Sequence, residues 1–122
     1  MELRLPLKNK WFEMTKASIK TEDYREITPY WAKRLVMLCK YDMNYNDFVS
    51  YLTSDKDRMY YADNYSFKHF NENTMTLGYP KSTDTERIIQ FEHAGIEIRT
   101  GNPEWGAEPN KLYFVIKHGK EL

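Results

Sequence analysis

The sequence predicts an α+β fold in which a small antiparallel β-barrel is flanked by short helices, and three observations lead there. Residues 2–7 alternate polar and apolar side chains, helical stripes occupy much of the segment 8–52, and from about Ser66 the texture turns to short strands separated by Gly, Pro and Asn turns. At 122 residues a single domain spanning 1–122 is expected, and no repeat, low-complexity tract or linker marks a boundary. A chain of this length buries roughly two-thirds of the surface its unfolded form exposes, so a core can form without metal or disulfide.

In Glu2–Leu7 the side chains of Leu3, Leu5 and Leu7 share one face, the period of a half-buried strand, and Pro6 assigns that strand to an edge or an end. From Lys8 to about Ala17, Trp11, Met14 and Ala17 recur every three residues, so a short amphipathic helix is predicted with those three inward. Ile19 to Ile27 has no helical stripe and carries Thr, Tyr and Ile, which predicts a strand. Thr28 followed by Pro29 is a strong helix start, because the hydroxyl caps free backbone donors and Pro at the first position sacrifices no internal bond. Trp31, Leu35, Leu38 and Cys39 then continue a stripe to about Lys40. A second short helix is predicted near Asp47–Leu52 with Phe48, Tyr51 and Leu52 inward, the rest of 41–65 reading as loop. Strands follow around Phe67, over Thr74–Leu77 before a Gly78-Tyr79-Pro80 turn, and over Arg87–Phe91, Ile96–Arg99 and Leu112–Lys117. The last is apolar on both faces, as a central strand should be.

Composition excludes several classes. A chain with 41% hydrophobic and 16% aromatic residues is not disordered. Its 18 basic and 18 acidic residues cancel, but not evenly: residues 1–40 carry nine basic against five acidic, 41–80 three against six, and 81–122 six against seven. The electropositive first third could attract anions, although the excess is modest beside that of duplex binders. The one cysteine, Cys39, has no internal partner, and the start lacks an apolar signal core, so a cytoplasmic protein is expected. The longest aliphatic run, Leu35–Leu38, is far short of a bilayer span, so no membrane association is expected.

Most chemical motifs are missing. His69, His93 and His118 are isolated from one another and no CxxC pair exists, so neither metal nor other cofactor is expected. Asp55-Lys56-Asp57 opens like a calcium loop, but Tyr60 stands where Gly is needed and Ser66 where the bidentate Glu belongs. No phosphate-binding Gly loop, dinucleotide fingerprint or nucleophile elbow is present.

What remains is residues 18–26, where Lys20, Asp23 and Arg25 concentrate charge in a segment that otherwise reads as a strand. Such a set can hold an anionic or amide-bearing ligand: the Arg fork takes planar acceptors, the acid accepts from an amine and the Lys supplies a point charge. An edge strand decorated with charge against aggregation would look the same.

At this segment the chain resembles a known family. Ser18-x-Lys20-x-x-Asp23-x-Arg25 is similar to the G-x-K-x-x-E-x-R signature of the ASCH (activating signal cointegrator homology) domain, placed as in that family after a first strand and helix. Leu5-Pro6-Leu7-Lys8 with Trp11-Phe12, then Tyr24-Arg25-Glu26-Ile27-x-Pro29-Tyr30-Trp31, and later Gly101-x-Pro103-Glu104-Trp105-Gly106-Ala107-x-Pro109, resemble a bacterial and phage branch of it. The resemblance implies a PUA-like β-barrel with a cleft where the signature residues meet barrel loops, and an RNA or modified-nucleoside ligand. One branch deacetylates acetylated cytidine with the signature Lys, a Thr at the signature acid position and a distant Glu. In this chain that position is Asp23, so the nucleophile is absent. Ser18 also replaces the signature Gly, which matters if the turn before Lys20 needs a positive φ.

Among the aromatics, Trp105 lies between Pro103 and Gly106 in a loop, where it could stack on an unpaired base or simply cap the barrel end. Tyr24, Tyr30 and Arg34 are further cleft-wall candidates. The leading expectation is a module binding RNA or a nucleotide-like small molecule through Lys20, Asp23, Arg25 and Trp105. An amidohydrolase acting on acylated nucleosides, with Lys20 and Asp23 as its groups, is the alternative. A protein-interaction accessory module is the third, if the tyrosines of 41–65 form one exposed patch.

Overall fold

The computed structural model describes residues 1–53 and 64–122, and over these the chain is α+β, with three short helices around a curled, half-barrel sheet. In chain order the elements are β1 (Glu2–Leu7), α1 (Asn9–Lys16), β2 (Glu22–Glu26), α2 (Pro29–Leu35), β3 (Val36–Leu38), α3 (Tyr45–Thr53), β4 (Tyr65–Phe67), β5 (Glu72–Leu77), β6 (Ile88–Thr100) and β7 (Leu112–Glu121). The main sheet has the order β1-β5-β6-β7-β2, and β3 pairs with β4 in a separate two-stranded ribbon. The Asp55–Asp57 stretch weighed as a calcium loop lies outside the described residues. No helix among the described residues is long and apolar enough to cross a membrane.

The sheet is mixed, not antiparallel as expected, because β1 runs parallel to β5, Leu3 opposite Asn73 and Leu7 opposite Leu77. Alternation in a sequence reports which face a side chain takes and is blind to strand direction. The intervening residues 8–71 include all three helices, ample for the crossover a parallel pair requires. β1 and β2 are therefore the two edges of the half-barrel.

The core gathers inward residues of every strand of that sheet except β2: Leu3, Leu5 and Leu7 from β1, Met75, then Ile89, Phe91 and Ile96, then Phe114 and Ile116. Phe12, Leu35 and Phe48 close it from the three helices. Burying each such side chain contributes about 1.5–3 kcal/mol. The opposite face of β7 carries Tyr113 and Val115 into a second, smaller cluster with Ala107, against which Tyr24 packs. Both faces of β7 are covered, as its composition predicts.

Several elements differ from expectation. α1 buries Phe12 and Thr15, leaving Trp11 and Met14 half-buried and Ala17 exposed. A buried Thr is tolerated because its hydroxyl donates to the Trp11 carbonyl at 2.7 Å. The strand expected over Ile19–Ile27 is shorter, and its first residues instead terminate α1. The helix expected to reach Lys40 stops at Leu35, and Val36–Leu38 turn extended to pair with Tyr65–Phe67. A short apolar run is compatible with either state, and the partner strand decides it. The strands expected over Arg87–Phe91 and Ile96–Arg99 are one strand, β6, which begins at Ile88 after a 3₁₀ turn ending at Arg87 and stays paired to β7 across register shifts between Phe91 and Ile96. Gly95, with φ at 114°, supplies the backbone for that bulge. The start of α2 is as expected, the Thr28 hydroxyl accepting from the Trp31 N–H at 3.3 Å. α3 likewise buries Phe48, with Tyr51 and Leu52 packed against the core.

Candidate functional site

Helix α1 sets the position of Lys20. The helix ends with the Ser18 N–H donating to the Thr15 carbonyl and the Ile19 N–H to the Met14 carbonyl, both at 3.0 Å. This paired 5→2 and 6→1 closure is a Schellman ending, whose outer residue must be left-handed. Ser18 is that residue, with φ at 60°. The Lys20 N–H also donates to the Met14 carbonyl, at 3.1 Å, which turns the chain into β2.

In the β2–β7 ladder Asp23 faces Ile116 and Arg25 faces Phe114. Cross-strand partners share a face, so Asp23 and Arg25 lie on the core side of the half-barrel at its open edge. Carboxylates and cations placed there must neutralise one another, and they do. Arg25 Nε donates to Asp23 Oδ2 at 2.6 Å, and Lys20 Nζ lies 3.4 Å from Asp23 Oδ1 and donates to the Glu22 carbonyl at 2.5 Å. Lys20 is 3% exposed and Asp23 4%. Burial by itself would raise the Asp23 carboxyl, but the adjacent Arg25 and Lys20 outweigh it and hold the group below the ordinary carboxylate range. Burial draws Lys20 below the usual ammonium range, and Asp23 only partly restores it.

Arg25 completes the chain of ions outward. Its Nη2 donates to the Pro6 carbonyl at 2.9 Å, and its guanidinium lies 4.7 Å from the centre of the Trp31 ring.

On the other face of β2, Tyr24 donates to Glu22 Oε1 at 2.6 Å and accepts from the Asn102 N–H at 2.9 Å. Burial and the neighbouring Glu22 carboxylate push its phenol up, so it stays protonated. Glu22 accepts from both terminal nitrogens of Arg99, at 2.5 and 3.2 Å, a two-pronged pair that ties β2 to β6. Through Asn102 the Tyr24 hydroxyl anchors the loop that carries Trp105. There the Asn102 side chain caps a single 3₁₀ turn, Pro103–Trp105, and Gly106 reverses the chain with φ at 95°. Gly106 rests on Trp11 so closely that a Cβ would stand 2.8 Å from the indole.

Together these residues border a cleft of about 240 Å³ whose walls include Trp11, Lys20, Tyr24 and Trp105, with Glu26 and Glu108 among its charged lining residues. Trp105 is half-buried beside it. Of the four residues singled out from the sequence, Lys20, Asp23 and Trp105 line this cleft, and Arg25 lines a different one with Trp31. The Asp23 carboxylate sits between the two.

Composition did not reveal one polar cluster. Asn73, fully buried on β5, donates from Nδ2 to the Lys117 carbonyl at 3.1 Å and to His118 Nδ1 at 2.8 Å, and accepts from His93 Nδ1 at 2.7 Å. His118 Nδ1 thus accepts, its proton rides on Nε2, and that atom is buried without a partner among the described residues. Burial drives the His118 pKa down to about 4. The one hint in the sequence was an Asn inside a strand-forming segment, a residue type depleted in strands. Among the described residues no three His, Cys, Asp or Glu side chains converge as a metal site.

Of the described tyrosines in 41–65, Tyr45, Tyr51 and Tyr65 pack against the core while Tyr41 is exposed, so these four form no contiguous patch. No family model matches the chain, and no curated protein or solved structure matches it either.

Proposed function

We propose that the protein binds RNA or a nucleotide-like ligand, with a base held in the cleft between Lys20 and Trp105. The chemistry of that cleft carries the reading. Trp11 and Trp105 offer aromatic surface, Glu26 and Glu108 offer acceptors, and Lys20 has one N–H beyond the two used by Glu22 and Asp23. An unpaired base presents the complement: a π face, exocyclic amine donors and ring acceptors. In this reading Asp23 fixes the two cations, and the amine goes to Glu26 or Glu108.

The half-barrel is read as PUA-like, and the chain as an ASCH domain, a cytoplasmic one. The left-handed backbone at Ser18 supports this, because it is the position where the signature has Gly. The hydrolase alternative asks Asp23 to act as a base, and a carboxylate held by two cations is a weak one.

The test is fluorescence anisotropy with a short single-stranded RNA bearing a 5′-hydroxyl. Trp105→Ala is expected to weaken binding by about 5- to 150-fold, since base stacking contributes about 1–3 kcal/mol. Lys20→Ala, confirmed folded by circular dichroism, is expected to do the same. Tight binding indifferent to both substitutions overturns the reading.

A further inference from the structure

Arg25 leads out of the ion chain into a second, larger pocket of about 520 Å³, formed where α2 faces β1 and the β5–β6 turn. Its lining includes three arginines, Arg4, Arg25 and Arg34, and no acidic residue. Their donors are largely uncommitted. Arg34 is exposed, lies 4.4 Å over the Tyr30 ring and has no hydrogen bond or ion pair among the described residues. Among the described residues Arg4 uses only Nε, on Glu2, at 2.8 Å. Arg25 uses Nε and Nη2, which leaves Nη1.

Stacking on Tyr30 and Trp31 steadies two of the three guanidinium planes, so less freedom is lost when they close on a ligand. At the rim Tyr79 is 94% exposed, held out by the Gly78 turn (φ 65°) and followed by Pro80. A large ring left in water beside a cationic pocket is a stacking surface for a planar ligand.

We propose that this pocket binds a phosphomonoester attached to a planar base, the phosphate between Arg34, Arg4 and Arg25 Nη1 and the base against Tyr79. The charge contrast between the two clefts separates their tasks. The Lys20 cleft is lined by Asp23, Glu26 and Glu108 with one lysine, and Arg25 and Lys111 offset Asp23 and Glu26 from outside it, so it offers phosphate little attraction, whereas the charged side chains lining this pocket are arginines, of which Arg34 has no carboxylate partner among the described residues. The inference deepens the nucleotide-binding reading and rests on it for the class of ligand. The same chemistry occurs on a free mononucleotide and at a phosphorylated RNA end.

Isothermal titration of the full chain separates these cases, using AMP, adenosine, and one RNA sequence carrying either a 5′-phosphate or a 5′-hydroxyl. AMP is expected to bind at least tenfold more tightly than adenosine, and less tightly as salt rises. Arg34→Gln is expected to remove that preference. Arg34 is exposed and has no hydrogen bond or ion pair among the described residues, so the variant keeps the fold. Tyr79→Ala should weaken AMP and adenosine alike. A 5′-phosphate preference in the RNA marks a strand end as the ligand, and AMP binding without that preference marks a free nucleotide. Equal affinity for AMP and adenosine, or a phosphate preference that survives Arg34→Gln, overturns the proposal. If 5′-hydroxyl RNA still binds through Trp105 and Lys20, the proposed function stands without this pocket. If AMP binds through Arg34 while 5′-hydroxyl RNA fails to bind, the pocket stands and the Lys20 cleft does not.

Discussion

Arg25 of β2 and Pro6 of β1 are joined across the open side of the half-barrel by a hydrogen bond from the guanidinium to the proline carbonyl, at 2.9 Å. The two strands are the edges of the sheet, nineteen residues apart in sequence at these positions. Pro6 lies on an edge strand, where its carbonyl accepts the side-chain donor and its ring leaves no N–H to attract a further strand. The same guanidinium holds Asp23, which makes the ion chain a clasp on the half-barrel as well as a boundary between two clefts.

Breaking that chain at its centre should be costly. Asp23→Ala leaves Lys20 buried without its counter-charge, and losing one member of a buried pair costs about 3–5 kcal/mol. Lys20→Met in the same chain should recover part of the loss, because the stranded charge goes with it. Chemical denaturation of the two variants checks both statements, and a loss below about 1 kcal/mol for Asp23→Ala would show that water reaches the site.

Ser18→Gly should stabilise the protein by about 0.5–1 kcal/mol. A side chain in the left-handed region costs about 1–2 kcal/mol, and the greater freedom of Gly in the unfolded chain returns part of that gain. An upward shift in the urea midpoint with an unchanged slope is the expected result, whereas Ser18→Val should move the midpoint down.

Gly101→Ala should destabilise by about 1–3 kcal/mol and loosen the Trp105 loop. The added Cβ would stand 2.7 Å from Ala107 Cβ and from the Tyr24 ring, two groups already packed in the smaller cluster. A lowered melting temperature, together with weaker binding of 5′-hydroxyl RNA, is the expected pair of results.

Acid should unfold the protein in two stages. His118 is held near 4 in the folded state against 6.5 in the unfolded chain, so the unfolded state binds the extra proton between those values. Its contribution, on the order of 2–3 kcal/mol, is present above pH 6.5 and lost as the pH falls towards 4. Asp23 and Glu22, both lowered, contribute above their unfolded values and lose that contribution only at more acid pH. Denaturant midpoints measured from pH 7 to 4.5 should fall in the wild type and stay flatter in His118→Gln; parallel curves would assign the loss to other groups.

Local chemistry in this chain was legible wherever one segment decides its own structure. The alternation of Leu3, Leu5 and Leu7, the Thr28-Pro29 cap and the two-faced apolar run of β7 each follow from residues a few positions apart, and the fold agrees with them. The departure of Ser18 from the signature Gly likewise raised the question of backbone sign, which the Schellman ending of α1 answers. Tertiary structure alone decided what depends on a distant partner. The parallel pairing of β1 and the switch of Val36–Leu38 to a strand both require ladder partners more than twenty residues away, and local propensity is too weak to choose between them. The Lys20–Asp23–Arg25 spacing announced a charged cluster, but the outward division of its ends into an aromatic, acid-rimmed cleft and an arginine pocket depends on loops and helices packed against β2. A charge in a sequence has only a sign; burial and neighbours, which set its strength and its direction, come from the fold.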